Sequence, residues 1–139
     1  MTDRNMIVDK IVKTSSSKIP PIARLIAGLP LLLIGVQHAT GMAPMLPILE
    51  GAKIPMPELN AMVAPIFEII AGALLLSGFF ARIGALIAMG AMSMATYTHL
   101  VFDWADEPPI ALPIVVMAAA IFIVIKGAGA WSIDLKSNR

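Results

Sequence analysis

The sequence contains no cysteine among its 139 residues. Disulfide bonds, thiolate metal sites and dithiol redox chemistry are therefore excluded for this chain. The absence carries no information about the redox compartment, because proteins in either kind of compartment can do without cysteine. Whatever chemistry the chain performs must be carried by other residue types.

Charge is also scarce. Charged residues make up 14% of the sequence, whereas 58% of the residues are hydrophobic and the mean hydropathy is +0.86. Ordinary globular domains carry about 25% charged residues, and a soluble domain of this size needs more polar surface than nine acids and ten bases supply. A lipid bilayer is the expected solvent. The net charge of +1, with no block of like charges, indicates no nucleic-acid partner.

The apolar residues fall into four stretches, each long enough to approach the roughly 20 residues that cross a bilayer. These predicted spans are residues 22–43, 59–80, 83–102 and 109–126. The predicted fold is all-α, an integral membrane four-helix bundle with up-down-up-down topology. The predicted organisation is an N-terminal segment at 1–18, a transmembrane domain at 19–134 and a C-terminal tail at 135–139.

Lysine and arginine are distributed unevenly between the two predicted sides. Nine of them precede or open the first span, lie between the second and third, or lie at or after the end of the fourth, and Lys53 alone lies on the other side. The positive-inside rule therefore predicts that both termini are cytoplasmic, in the cytoplasmic (inner) membrane of a bacterium or archaeon. Asp103, Asp106 and Glu107 would then face outward. The first apolar run also resembles a secretory signal peptide, but the long polar segment before it favours a span.

A few ionisable side chains lie inside the predicted spans, where each costs several kcal/mol unless it is paired, protonated or hydrated. They are Arg24, His38, Glu68 and His99. Helical rise places both histidines roughly 25 Å above the cytoplasmic boundary and Glu68 roughly 8 Å lower. This spacing leaves room for one water molecule or a small polar ligand between the acid and the histidines.

These residues predict a polar pocket inside the bundle. In the functional interpretation Glu68 and His99 handle protons, while His38, Tyr97 and Arg24 bind a cofactor such as a quinone head group. In the structural interpretation Glu68 ties helices together, protonated or paired with an arginine, and water satisfies the histidines. A haem held by both histidines is a third interpretation. The depth mismatch disfavours a metal site, and none is predicted.

Arginines at the predicted inner ends of the spans also have two interpretations. Arg24 and Arg82 either extend toward the lipid headgroups or donate to backbone carbonyls or to Glu68. The outer loop at residues 43–58 contains four prolines, so it cannot form one regular helix, and we expect it to rest on the mouth of the bundle.

Three segments resemble the DoxX family of small four-span membrane proteins: "ARLIAGLPLLLIG", "FEIIAGALLLSGFFARIGA" and "GAGAWSID". They extend over residues 23–134, and the middle segment is the most specific. The sequence departs from the family after the first span's glycine, where members often carry a lysine and this chain has "GVQHATG". The structural motif residues that the resemblance implies are Gly35, Gly72, Gly78, Arg82, Ser132 and Asp134.

The resemblance also implies a function. DoxX itself is named as the small membrane subunit of a thiosulfate:quinone oxidoreductase, and many relatives look like accessory partners of redox enzymes. The chain is thus expected to be a membrane anchor or accessory subunit, not catalytic alone. No cofactor is expected to be built in, quinone is the candidate ligand, and a homo-oligomer is compatible with the sequence. The alternative is a non-enzymatic membrane protein that binds a lipid-like ligand or assists the assembly of a partner.

Overall fold

The computed structural model describes residues 3–102 and 109–137, so the acids predicted to face outward at 103, 106 and 107 lie outside the described residues. The described residues contain helices and no strand, which confirms the all-α prediction. The helices are α1 (Asp3–Val12), α2 (Ile19–Ala39), α3 (Leu46–Gly51), α4 (Pro57–Ser77), α5 (Ala81–Val101), α6 (Ala111–Lys126) and α7 (Ile133–Ser137).

Three of the helices are long and apolar enough to cross a membrane. These are α2, α4 and α5, with 21 residues each, whereas α6 is apolar but has only 16 residues. Each of the three long helices begins a few residues before its predicted start. In α2 the reason is visible in the sequence, because Pro20 and Pro21 occupy the first turn, where a missing N–H group has no intrahelical partner to lose.

The three long helices and α6 pack in a ring: α2 contacts α4, α4 contacts α5, α5 contacts α6, and α6 contacts α2. Small side chains fill much of the interior, and Ala27, Ala71, Ala85, Ala88 and Ala120 are fully buried. The outer faces are apolar as well. Large exposed side chains there include Ile22, Leu33, Ile66, Phe67, Leu86, Leu100, Ile114 and Ile125.

An apolar surface of this kind is far larger than soluble monomers expose. In lipid it needs no further cover, because the helices satisfy their own backbone hydrogen bonds. Together with the three span-length helices, it identifies a multi-pass membrane protein.

Glycines bring α2 and α4 into close antiparallel contact. A Cβ atom added to Gly72 would lie 2.7 Å from the backbone nitrogen of Leu32 and 2.9 Å from the carbonyl oxygen of Gly28. One added to Gly35 would lie 2.9 Å from Cβ of Glu68. Only glycine leaves room for such an approach, which is how small residues pack membrane helices.

One end of the bundle is organised by Arg24, and we call it the Arg24 end. The side chain is buried, and its Nε donates to the carbonyl oxygen of Leu75 at 2.7 Å. Nη2 donates to Leu76 at 2.8 Å, and Nη1 donates to Ala128 at 3.1 Å and to Ala130 at 3.2 Å. The last carbonyls of a helix have no intrahelical partner. Arg24 therefore satisfies the end of α4 and ties it to the segment after α6.

That segment also caps α5. The carboxylate of Asp134 accepts hydrogen bonds from the backbone N–H of Phe80 at 2.8 Å and of Ala81 at 3.1 Å. The backbone N–H of Asp134 donates to the carbonyl of Gly78 at 3.0 Å. A negative charge at the first N–H groups of a helix is favourable, so Asp134 acts as a helix cap supplied from a distant part of the chain.

Gly78 and Ser132 complete the Arg24 end. Gly78 ends α4 with a left-handed backbone, φ 65°, and an added Cβ would lie 2.5 Å from Cβ of Ser132 and 2.8 Å from Cζ of Arg24. The Ser132 hydroxyl donates to the carbonyl of Gly129 at 2.7 Å. Conformation and space thus require glycine at position 78.

Arg82 joins α1 to the bundle. Its Nε donates to the carbonyl of Val124 at 3.0 Å, and Nη1 donates to the carbonyls of Lys10 and Ile11 near the end of α1. Of the two interpretations from the sequence, the structure favours bonding to backbone carbonyls for both arginines, and neither one pairs with Glu68.

We expect Gly72→Ala to destabilise the protein by roughly 1–3 kcal/mol, because the added methyl group would press against the backbone of α2. The matched control is Gly90→Ala on α5, where an added Cβ meets nothing within 4 Å. Removing an exposed helical glycine should stabilise by roughly 0.5–1 kcal/mol. Thermal unfolding in detergent, followed by far-UV circular dichroism, measures both. Equal midpoints for the two variants would contradict the packing role of Gly72.

We expect Asp134→Asn to lower the free energy of unfolding by roughly 1–3 kcal/mol, because the cap of α5 loses its charge and one strong acceptor. Asp9→Asn makes the same chemical change at an exposed position in α1 and should have little effect. Denaturant unfolding of both variants in the same detergent compares them. A loss at Asp9 as large as that at Asp134 would show that the cap is not the cause.

Candidate functional site

A cavity of about 360 Å³ lies at the opposite end of the bundle, which we call the pocket end. The wall of the cavity is largely apolar and is formed by α2, α4, α5, α6 and the α3 segment. The polar side chains among the lining residues are His38, Asn60, Glu68, Thr98 and His99. A concave, mostly apolar cavity with a few convergent polar groups is the usual form of a small-molecule site.

The central feature of the cavity is a hydrogen bond between His38 on α2 and Glu68 on α4. Nδ1 of His38 lies 2.8 Å from Oε2 of Glu68, and the two side chains are 16% and 8% exposed. The close contact of Gly35 with Glu68 brings the two helices together one turn below His38. The carboxyl group therefore faces the bundle interior and not the lipid.

The gap of roughly 8 Å that helical rise predicts between these two residues is therefore wrong. The arithmetic placed the Cα atoms and ignored the direction of the side chains. A helical side chain leans toward the N-terminus of its own helix. Because α2 and α4 run antiparallel, His38 leans toward the middle of the bundle while Glu68 leans toward the pocket end, and the two side chains meet.

His99 lines the same cavity from α5. Its Nδ1 lies 2.7 Å from the carbonyl oxygen of Ala95, and the hydroxyl of Thr98 donates to that same oxygen at 2.9 Å. A carbonyl oxygen only accepts, so Nδ1 of His99 must carry the hydrogen. The structure thus brings His38, Glu68 and His99 to one cavity.

The other two predicted cofactor-binding residues do not line the cavity. Tyr97 is 48% exposed on the outer face of α5, because neighbouring positions on a helix point in different directions. Arg24 lies at the other end of the bundle, where backbone carbonyls occupy its guanidinium. Neither residue lines this cavity, and a cofactor-binding role for them stays a prediction.

Asn60 is a lining residue that the sequence analysis missed. Its amide nitrogen donates to the carbonyls of Pro55 at 2.8 Å and Met56 at 3.2 Å. The signal was present, since Asn60 precedes Glu68 by eight residues, about two helical turns, on the same face of α4.

The loop before α4 forms a roof over the cavity. Met45, Ile48 and Leu49 line it from the α3 segment. Leu49 also belongs to a small second core with Ala52 and Ile54. The expectation that this loop rests on the mouth of the bundle agrees with this placement.

Metal and haem interpretations depend on how many ligands converge. Within residues 3–102 and 109–137, no three His, Asp or Glu side chains lie close enough together to hold a metal ion. Nδ1 of both His38 and His99 is hydrogen bonded to protein groups. The bis-histidine haem stays a prediction.

Comparison with known proteins gives a family but no close relative. A family model described as DoxX matches residues 19–104, which is more than half of the chain and runs from α2 through α5. The segment "GAGAWSID" at 127–134 lies beyond this match. No curated protein and no solved structure matches the chain. On the family match, the chain belongs to the DoxX family of membrane proteins.

Proposed function

We propose that this DoxX-family protein is a membrane anchor or accessory subunit of a quinone-linked redox complex, and that its cavity takes a quinone ring. The observation that carries the proposal is the hydrogen-bonded pair of His38 and Glu68 in the wall of a largely apolar cavity. A quinone ring offers a flat apolar face and two oxygens, so it needs such a wall with a few polar partners.

Energetic reasoning supports a functional role for this pair. Burying an acid within a membrane helix is costly, and intramembrane ionisable residues usually mark ligand or proton sites. Replacing a buried ionisable pair by well-packed apolar residues is often neutral or stabilising. If His38 and Glu68 only joined α2 to α4, apolar side chains would do so at least as well. An exchangeable proton is what the pair adds.

An accessory role follows from what the chain can supply. Quinone chemistry requires electrons, and the sequence has no cysteine for a thiol or an iron–sulfur ligand. The described residues include no cluster of three metal-ligating side chains. We therefore assign the source of electrons to a partner subunit, with this chain providing the site in the membrane.

We further propose four membrane crossings with both termini in the cytoplasm. Arg24, near the start of α2, donates to Ala128 and Ala130, just after α6, so these two helix ends meet at the Arg24 end. That end also carries most of the basic residues. The 16 residues of α6 span about 24 Å, a shortfall that local thinning of the bilayer accommodates.

Engineered cysteines test this topology, because the natural chain has none. We expect Glu50→Cys to react with a membrane-impermeant maleimide in intact spheroplasts, and Ser16→Cys and Lys136→Cys to react only after permeabilisation. All three positions are exposed. If Lys136→Cys is labelled in intact spheroplasts like Glu50→Cys, α6 does not cross the membrane and the four-span proposal is wrong.

Purification from the native membrane tests the proposed function. We expect a redox enzyme subunit and a quinone to co-purify in mild detergent, as detected by mass spectrometry. Glu68→Gln should lower the bound quinone at least about tenfold, because a buried hydrogen bond to a charged group contributes roughly 1.5–3 kcal/mol. Glu58→Gln is the matched control. It makes the same change in the first turn of α4, at an exposed residue outside the cavity.

Two other outcomes of this experiment would contradict the proposal in different ways. A quinone content unchanged by Glu68→Gln would refute the site. Co-purification of phospholipid or another lipid-like molecule in its place would favour the non-enzymatic alternative, for which the mostly apolar wall also provides a fit.

A further inference from the structure

We infer that the proton count of the His38–Glu68 pair selects the redox form held in the cavity: the quinone with two protons on the pair, and the hydroquinone with one. This inference rests on the proposed function and specifies how its site would discriminate between ligands. It follows from the hydrogen-bond geometry of the pair and from the identity of the groups around it.

The first step concerns the hydrogens on the imidazole. Nδ1 of His38 and Oε2 of Glu68 share one hydrogen across 2.8 Å. If the pair holds a second proton, that proton lies on Nε2 of His38 or on Oε1 of Glu68. In either place the pair gains one hydrogen-bond donor beyond the shared hydrogen. If the pair holds only the shared proton, Nε2 has a lone pair and is an acceptor.

The second step concerns the ligand. The two oxygens of a quinone only accept hydrogen bonds, whereas the two hydroxyls of a hydroquinone can donate. A polar atom buried without a partner loses its hydration and gains nothing in return. The two-proton pair thus matches the quinone, and the one-proton pair matches the hydroquinone.

The third step concerns the surroundings of the pair. His99 on α5 is the other titratable side chain among the described lining residues, and its Nδ1 hydrogen is directed to the Ala95 carbonyl. Asn60 on α4 donates its amide hydrogens to two carbonyls and does not titrate. The described lining residues of α3 and α6 are apolar, and no lysine or arginine is among those described. The selection between quinone and hydroquinone is therefore assigned to the pair of His38 and Glu68. His99 is the other side chain that could cause a pH-dependent affinity, so the experiment must exclude it.

The sign and size of the effect follow from linkage. Raising the pH by one unit changes the ratio of one-proton to two-proton pairs tenfold. If each ligand form binds only its matching state, the ratio of hydroquinone affinity to quinone affinity rises up to about tenfold per pH unit. By the same linkage, quinone binding takes up a fraction of a proton and hydroquinone binding releases the complementary fraction, so that the two numbers of protons sum to one.

The experiment uses the full chain in lipid nanodiscs, under anaerobic conditions, with a short-tailed ubiquinone and its hydroquinone as probes. Dissociation constants are measured over about three pH units around neutrality, with protein-free nanodiscs correcting for partition into lipid. Calorimetry in buffers of different ionisation enthalpy counts the protons exchanged. We expect the affinity ratio to rise with pH, and proton exchange of opposite sign for the two probes.

Three variants assign the effect. The double variant His38→Gln/Glu68→Gln should bind both probes with a ratio that does not change with pH, whereas Glu58→Gln and His99→Gln should keep the slope. The proton count on the unmodified protein tests the inference even if the double variant does not fold. A slope that persists in the double variant, or disappears in His99→Gln, would overturn it.

The outcomes also separate this inference from the proposed function. If both probes bind with a pH-independent ratio and no proton exchange, the selection rule is wrong and the quinone site stands. If neither probe binds at any pH, the proposed function fails and the inference fails with it.

Discussion

The buried guanidinium of Arg24 is the interaction on which the rest of the structure depends. It carries five N–H donors in a rigid fork, and it uses them on carbonyls of two segments that are far apart in the sequence. Leu75 and Leu76 contribute carbonyls of the last turn of α4, where no further turn of helix supplies N–H donors, although Leu75 also accepts from the N–H of Gly78 at 3.2 Å. The same contact sets the antiparallel register of α2 and α4. Arg24 meets Leu75, then Gly28 meets Gly72, and then Gly35 meets Glu68. His38 lies one turn beyond Gly35 on α2, and its side chain leans back to the same Glu68. The geometry of the pocket thus depends on the register of α2 and α4.

The two ends of the bundle use ionisable residues in different ways, for a chemical reason. Arginine stays charged under all ordinary conditions, so it suits a permanent structural contact with backbone carbonyls. Asp134 has a comparable role, because its carboxylate is held by the first N–H groups of α5. A histidine and a carboxylic acid exchange protons readily, which makes them unsuitable as a fixed clamp and suitable for a site that handles protons. These residue types are the physical reason for proposing a structural role at the Arg24 end and a proton-handling role at the pocket end.

Much of the fold could be predicted from the sequence, and the exceptions have physical causes. The span-length helices were predictable because apolar length is a local property, and the position of Glu68 in the interior followed from the cost of a charge in lipid. The direct contact of His38 with Glu68 was not predictable from helical rise, since it depends on side-chain direction and on glycine contacts between two helices.

The role of Asp134 depends on a partner 53 residues away, and no local pattern indicates a cap supplied at that distance. Tyr97 was assigned to the site because it lies two residues before His99 in sequence, although helical positions two residues apart do not face each other.

The cavity itself gives the strongest physical reason to assign a function to the pocket end. Several of its lining residues are alanines, among them Ala64, Ala91 and Ala95, and larger apolar side chains at these positions would fill the space. Apolar surface that lacks packing partners forfeits dispersion contacts, and the buried pair of His38 and Glu68 adds a desolvation cost. The pocket end therefore combines two destabilising features, loose packing and a buried ionisable pair, whereas the polar groups of the Arg24 end are hydrogen bonded. Departures from good packing and from apolar burial tend to persist where a site needs them, and a ligand that fills the cavity and hydrogen-bonds to the pair offsets both costs together.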